Sequence, residues 1–171
     1  MNPLDDPRVI QFHSQMNSMD ELALVVLKGH LILEECLSRI IKQHVFNEEY
    51  IDTADLSFFK KIQIAKSFAL RKDKIDIWEL IQKINTLRNQ IAHNLEYDKR
   101  QKVFEGLKSQ FLKTSKKDFP EIDFDKARND EVFYLICANC YGFLLSFEDD
   151  GKAFKSMVKS IDDLINEKKE N

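Results

Sequence analysis

The chain has 171 residues, a formal net charge of −3, and only 4 glycines and 3 prolines. This length is typical of one domain, and the scarcity of residues that interrupt helices favours long helices over short strands. The isoelectric point of about 5.8 excludes a broad basic face for nucleic acid, so any contact with nucleic acid is expected to be local.

Three cysteines, an odd number, argue against a disulfide framework and favour a reducing cytoplasm. The first residues contain no basic segment followed by an apolar stretch, so the sequence predicts no signal peptide. We therefore expect a cytoplasmic protein with no membrane partner.

The first half of the chain predicts two helices. Residues 3–17 are expected to form a short helix, and residues 19–45 a long one. Ser18 and Glu21 have the Ser-x-x-Glu spacing of a capping box at the start of the long helix. Residues 22–27 are apolar without a break, so this helix should be buried on several sides, within the fold or at a subunit interface.

The middle of the chain predicts two more helices. The third begins at about Phe58, with Ser57 as its candidate cap. The fourth covers about residues 76–93, where apolar residues at helical spacing form a single stripe. The stripe consists of Ile77, Leu80, Ile81, Ile84, Leu87 and Ile91.

The second half predicts a fifth helix over residues 98–114 and a polar loop over 115–125 that contains Pro120. The sixth helix, residues 127–147, is strongly apolar, but its apolar part, residues 132–147, is too short and too interrupted to span a bilayer. Residues 150–168 are expected to form a last, amphipathic helix. The fold class predicted from these elements is all-α, a bundle of about six to seven helices.

The polar residues near the end of the fourth helix are the most informative for function. Arg88 and His93 are five residues apart and would point about 140° away from each other on an ideal helix. Asn89 and His93 are four residues apart and share a face. The helix dipole favours a protonated ring at His93, and an arginine is a good phosphate ligand.

This segment resembles the Arg-(four to six residues)-His motif of HEPN domains, in its Arg-Asn-x-x-x-His form; it reads Leu87-Arg88-Asn89-Gln90-Ile91-Ala92-His93. The predicted arrangement of helices is also similar to that of HEPN domains, with a long apolar helix before the motif and the motif near a helix end. The resemblance covers residues 22–97 and says little about residues 99–171. It implies that residues 1–171 form a single HEPN-like helical domain. A more distant similarity is to helical proteins of the mannitol operon repressor type.

The resemblance implies a reaction. Many HEPN proteins are metal-independent endoribonucleases that dimerise so that two copies of the motif face one cleft. The 2′-OH of the RNA would attack the adjacent phosphorus, with His93 as general acid or base and Arg88 stabilising the phosphoryl charge. Asn89 would orient the histidine or donate to the phosphate. The resemblance implies no cofactor and no metal, RNA and a second copy as partners, and a role as a toxin or defence effector controlled by an antitoxin or regulatory protein.

Other interpretations stay open at this point. Many HEPN domains bind nucleotides or partners without cutting RNA, so the chain is alternatively a non-catalytic helical regulator or protein-binding module of the mannitol-repressor type. Arg88 would then pair with a carboxylate, and His93 would cap carbonyl groups. An enzyme needs Arg88 and His93 accessible and converging, within one chain or across a dimer. A DNA-binding repressor is disfavoured by the acidic isoelectric point.

Three further features bear on function: a CxxC pair, a histidine–glutamate pair and a tyrosine after the motif. Cys137 and Cys140 form a CxxC inside an apolar helix, which favours core cysteines over a redox or metal site. His30 and Glu34, one helical turn apart, could line the cleft, but a buried and hydrogen-bonded core histidine is favoured. Tyr97 follows the motif histidine by four residues, whereas the tyrosine modified in some HEPN toxins follows it by two.

Overall fold

The computed structural model describes residues 7, 10, 20–52, 54–70, 72–93 and 97–167. These residues contain helices and no strand, which confirms the all-α bundle. The predicted helix over residues 3–17 lies outside the described residues, apart from residues 7 and 10. The described helices are α1 (Glu21–His44), α2 (Glu49–Asp52), α3 (Phe58–Ser67), α4 (Ile77–His93), α5 (Tyr97–Ser115) and α6 (Asn129–Glu167), with a 3₁₀ turn at Lys116–Asp118.

The two longest helices, α1 and α6, pack against each other and run in the same direction. Their contacts follow in the same order along both: Glu21 with Arg128 just before α6, Gly29 with Cys137, and His44 with Gly151. Position 29 requires a glycine, because a Cβ there would lie 2.6 Å from the sulfur of Cys137. This pair forms the frame against which the other helices pack.

Helix α4, which carries the motif, runs in the opposite direction to α1. Its first turn lies near the end of α1, since the ring centroids of Trp78 and Phe147 are 5.9 Å apart and Phe147 stacks on His44. Further along, Asn85 bonds to His30 in the first half of α1. His93, the last residue of α4, therefore lies at the end of the bundle where α1 begins.

The stripe predicted on α4 is confirmed as its core face. Leu80, Ile81, Ile84 and Leu87 have no solvent exposure, while Ile77 and Ile91 are partly buried. Trp78 adds the largest buried side chain, and its indole N–H donates to the Lys72 carbonyl at 2.9 Å. Because a buried indole N–H needs an acceptor, this bond also holds the loop before α4 in place.

The predicted N-terminal caps of two helices can be compared with the structure. Ser57 caps α3 as predicted, accepting a hydrogen bond from the Lys60 N–H at 3.4 Å. The capping box predicted at the start of α1 is wrong, because the cap is Asp20, whose Oδ1 accepts from the Ala23 N–H at 2.9 Å. The other carboxylate oxygen of Asp20 is 2.8 Å from Arg100 in α5, a tertiary contact that local spacing does not reveal.

The last two predicted helices are one continuous helix, α6, of 39 residues. The junction between the two predicted helices lies within α6, where Glu148 is buried and lies 3.1 Å from Arg39 and 3.2 Å from Lys152. Gly151 stays helical and lies against the ring of His44, where a side chain would not fit. Despite this length, no helix among the described residues combines the length and hydropathy that a membrane crossing requires.

Candidate functional site

The motif occupies the last two turns of α4, at the protein surface. Ile84 and Leu87 anchor this part of the helix in the core. Arg88 is half-buried, whereas Asn89 and His93 are exposed. The Arg88 guanidinium donates to the Asn89 side-chain oxygen at 3.2 Å. The three predicted site residues are therefore all reachable from solvent.

Within one chain the structure does not bring Arg88 and His93 together. Both lie on the continuous helix α4, and ideal helix geometry sets them about 140° apart around its axis and about 7.5 Å apart along it. No ion pair between described residues includes either side chain, so among these residues no carboxylate neutralises Arg88. Asn89 shares the outer face of the helix with His93, as the spacing predicts.

A polar cluster lies beside Arg88, between α1, α3 and α4. His30 is 4% exposed, and its Nε2 donates to the Asn85 side-chain oxygen at 3.1 Å. Its other ring nitrogen is 3.8 Å from Glu34, which also pairs with Lys61 at 2.9 Å. The ring stacks on Phe58 with centroids 4.1 Å apart. The prediction that His30 is a buried, hydrogen-bonded residue is confirmed.

The pKa of His30 depends on Arg88, the first residue of the motif. Burial lowers the pKa of His30 below its ordinary value of 6.5, and the positive charges of Arg88 and Lys61 act in the same direction. The Asn85 hydrogen bond and the Glu34 carboxylate oppose this lowering without reversing it. The Arg88 guanidinium therefore lies close enough to His30 to disfavour a second positive charge there. Of the two cations that act on His30, Lys61 is paired with Glu34, whereas no ion pair between described residues includes Arg88.

Exposed apolar residues adjoin this cluster on α1. Leu24, Leu27 and Leu31 are all exposed, although they belong to the helix that supplies much of the core. Leu27 and Leu31 each precede a cluster residue, His30 or Glu34, by three positions, so they lie on the same flank of α1. An apolar flank beside a polar cluster is typical of a surface that another molecule covers.

Sequence reasoning missed two members of the cluster, Asn85 and Lys61. Asn85 contacts a histidine 55 positions earlier in the chain, and Lys61 contacts a carboxylate 27 positions earlier. No local periodicity signals such pairs. The one available hint is that Asn85 precedes Arg88 by three residues and so shares its side of α4.

The prediction of core cysteines is confirmed for Cys140, which is buried, whereas Cys137 is half-buried and packs against the core. Cys137 and Cys140 lie inside α6, and all three cysteines are free. Burial raises the pKa of the Cys137 thiol to about 12 and that of Cys140 well above its ordinary value, so neither is a ready nucleophile. Among the described residues, no group of three or more His, Cys, Asp or Glu side chains could hold a metal ion. The side chain of Tyr97 lies outside the described part of the chain.

No protein-family model, curated protein or solved structure matches the chain. A functional assignment therefore depends on the residues themselves, foremost the end of α4 and the surfaces around it.

Proposed function

We propose that the chain is a metal-independent endoribonuclease of the HEPN type, acting as a toxin or defence effector, with its site formed across a homodimer. The observation that carries this proposal is the placement of Arg88, Asn89 and His93 at the solvent-facing end of α4. Among the described residues, neither Arg88 nor His93 forms a salt bridge. A salt bridge would be expected if these residues only stabilised the end of the helix.

The proposed reaction uses groups that these residues can supply. The 2′-oxygen of a ribose attacks the adjacent phosphorus, and the bond from phosphorus to the 5′-oxygen breaks, leaving a 2′,3′-cyclic phosphate and a free 5′-hydroxyl. His93 takes the proton from the 2′-hydroxyl or returns one to the leaving 5′-oxygen. Arg88 stabilises the extra negative charge on the phosphoryl oxygens in the transition state. Asn89 shares the face of His93 and would orient the ring or donate to the phosphate.

The dimer follows from the divergence of Arg88 and His93 on one helix. Two copies related by a two-fold axis near the end of α4 would set Arg88 of one against His93 of the other, twice in one cleft. The exposed Leu27 and Leu31 flank the same region and supply apolar surface for such a contact. The partners in this proposal are therefore RNA, a second copy of the chain, and an antitoxin or other regulatory protein.

The test is RNA cleavage in EDTA by the wild type, Arg88→Ala and His93→Ala. We expect the wild type to cut a mixed RNA pool, and each variant to lose roughly 100-fold or more in rate, because an acid–base group and a charge-stabilising group each usually contribute that much. Thr86→Ala, an exposed substitution on the same helix, serves as the matched control and should cut like the wild type. Circular dichroism establishes that all variants stay folded. Equal cleavage by all four proteins would defeat the proposal.

One observation favours the alternative, a non-catalytic helical regulator or protein-binding module. A groove of about 720 Å³ lies between α1 and α6. Its lining includes apolar and aromatic side chains, among them Ile32, Tyr134 and Tyr141, and the charged Lys28, Glu35 and Arg39. Such a groove fits a side chain from a protein partner. If the wild-type protein leaves the whole RNA pool intact, the result would favour this second function.

A further inference from the structure

A pocket of about 650 Å³ lies at the end of the bundle opposite His93, where α1 ends. Its walls come from three parts of the fold: His44 from the last turn of α1, Phe68 from the segment after α3, and Phe147 and Phe154 from α6. Pockets that hold small molecules usually have volumes of about 300–1,000 Å³. The size of this pocket is therefore suited to a small ligand.

The walls of the pocket are mainly aromatic. His44 stacks on Phe68, with ring centroids 4.5 Å apart and planes 2° apart, and on Phe147 at 5.7 Å. At the mouth, Phe154 is 50% exposed and Leu70 is 99% exposed. Because aromatic rings favour stacked or edge-to-face contacts with other rings, these walls suit a flat aromatic molecule, which would also cover the exposed side chains at the mouth.

The two charged side chains that line the pocket neutralise each other. Lys72 Nζ lies 2.9 Å from the carboxylate of Asp150, and this ion pair joins the segment after α3 to α6. The side chains are 46% and 60% exposed, which places the pair at the rim and not in the interior. Since each charge already has a counterion, an ionic ligand would have to displace one of the partners. The pocket therefore favours an uncharged ligand.

His44 supplies a hydrogen-bond acceptor for such a ligand. Its Nδ1 is 2.8 Å from the carbonyl oxygen of Ile40, which only accepts, so Nδ1 carries the proton and Nε2 of the neutral ring accepts. In the described part of the chain no hydrogen bond uses Nε2, and Nε2 is not one of the buried polar atoms without a partner, so it is accessible to solvent. A Cβ at Gly151 would lie 3.1 Å from Nε2, and the neighbouring Asp150 lines the pocket. The accessible edge of the ring therefore faces the pocket.

We propose that this pocket binds an uncharged, planar heteroaromatic molecule whose N–H donates to Nε2 of His44. The rings of Phe68, Phe147 and Phe154 contact its apolar part. Indole is a simple molecule with these properties. Because the pocket and His93 lie at opposite ends of the bundle, this binding site is separate from the proposed RNA site and does not depend on it.

The first test compares indole with benzofuran, a molecule of the same shape that has an oxygen in place of the N–H. Equilibrium dialysis against the full chain at about pH 8, where histidine side chains are neutral, measures both affinities. We expect the wild type to bind indole roughly fivefold more tightly, because benzofuran cannot donate to Nε2. A purely apolar pocket would favour benzofuran, since it would leave the N–H of indole without an acceptor. Equal affinities, a preference for benzofuran, or no binding of indole at roughly 1 mM would overturn the proposal.

The second test locates the ligand with three variants, whose folding is checked by circular dichroism. His44→Phe keeps an aromatic ring but has no Nε2, so the preference for indole should disappear. Phe154→Ala removes one wall and should weaken the binding of both ligands roughly fivefold. Met157→Ala is the matched control, because Met157 is 53% exposed on the same helix but does not line the pocket, and it should bind both ligands like the wild type.

Two results of the second test would contradict the proposed site. One is an unchanged preference for indole in His44→Phe, and the other is unchanged binding by Phe154→Ala. If His44→Phe does not fold, the comparison of the two ligands on the wild type still decides whether the pocket uses an N–H donor.

Discussion

His30 connects the motif helix to the frame of the fold through one buried hydrogen bond. It is almost fully enclosed, and its bond to Asn85 holds α4 against α1 one turn before Arg88. Burial and the neighbouring cations lower its pKa, so the folded protein binds a proton there less readily than the unfolded chain does. The protonation state of this residue is therefore linked to stability.

The sign of that linkage gives a prediction. Below its ordinary pKa of 6.5, His30 becomes protonated in the unfolded chain before it does in the folded one, so stability present above that pH is lost as the pH falls. Urea unfolding at about pH 7.5 and about pH 5.5 should show a larger loss of stability for the wild type than for His30→Gln, which keeps a donor for Asn85. The same loss in both proteins would mean that His30 does not cause it.

At the scale of the elements, the parallel contact of α1 and α6 depends on small residues. A Cβ at Gly29 or at Gly151 would collide with a side chain of the neighbouring helix. These two contacts lie at the middle and the end of α1, so they set both the distance and the register of the pair. The register in turn determines how far α6 extends past α1.

Alanine substitutions separate close packing from helix propensity. Gly29→Ala should lower the free energy of unfolding by about 1–2 kcal/mol, because its Cβ would lie 2.6 Å from Cys137 and 3.1 Å from Phe133. Gly106→Ala is the matched control, since nothing lies within 4 Å of its Cβ, and it should stabilise the protein by about 0.5–1 kcal/mol. Urea unfolding measures both. Stabilisation by Gly29→Ala would show that the helices separate without cost.

At the scale of the whole molecule, the proposed RNA site and the exposed apolar stripe of α6, which includes Met157, Ile161 and Leu164, lie at opposite ends of the bundle. Arg88 and His93 are near the start of α1, and the uncovered stripe of α6 is past the end of α1. A dimer formed through the stripe alone would hold its two motifs far apart. Cooperation between Arg88 and His93 of different chains therefore needs a contact between copies at the end of the bundle where α1 begins.

Mixing two inactive variants tests that cooperation. If Arg88 of one chain acts with His93 of the other, an equal mixture of Arg88→Ala and His93→Ala forms mixed dimers in half of the population, each with one intact Arg–His pair. The mixture should then recover about one quarter of the wild-type cleavage rate. A mixture as inactive as its components would show that each site uses both residues of one chain, or that copies do not exchange.

Local interactions made several features predictable from sequence. The apolar stripe of α4 and the Ser57 cap of α3 depend on residues within one or two helical turns, and both are confirmed. The position of His93 at the end of α4 follows from the same periodicity. The residue types of the motif and their spacing are likewise visible without any structure.

What only the tertiary structure decided depends on contacts between distant residues. Gly151 lies inside α6 against the ring of His44, about a hundred positions earlier, so no side chain fits there. The cap of α1 is an aspartate that also pairs with Arg100 in α5. The bond from His30 to Asn85 and the exposure of the α6 stripe belong to the same class. Periodicity reports which face of a helix is apolar, but only packing determines which partner covers that face or whether it stays uncovered, because burial depends on the whole chain.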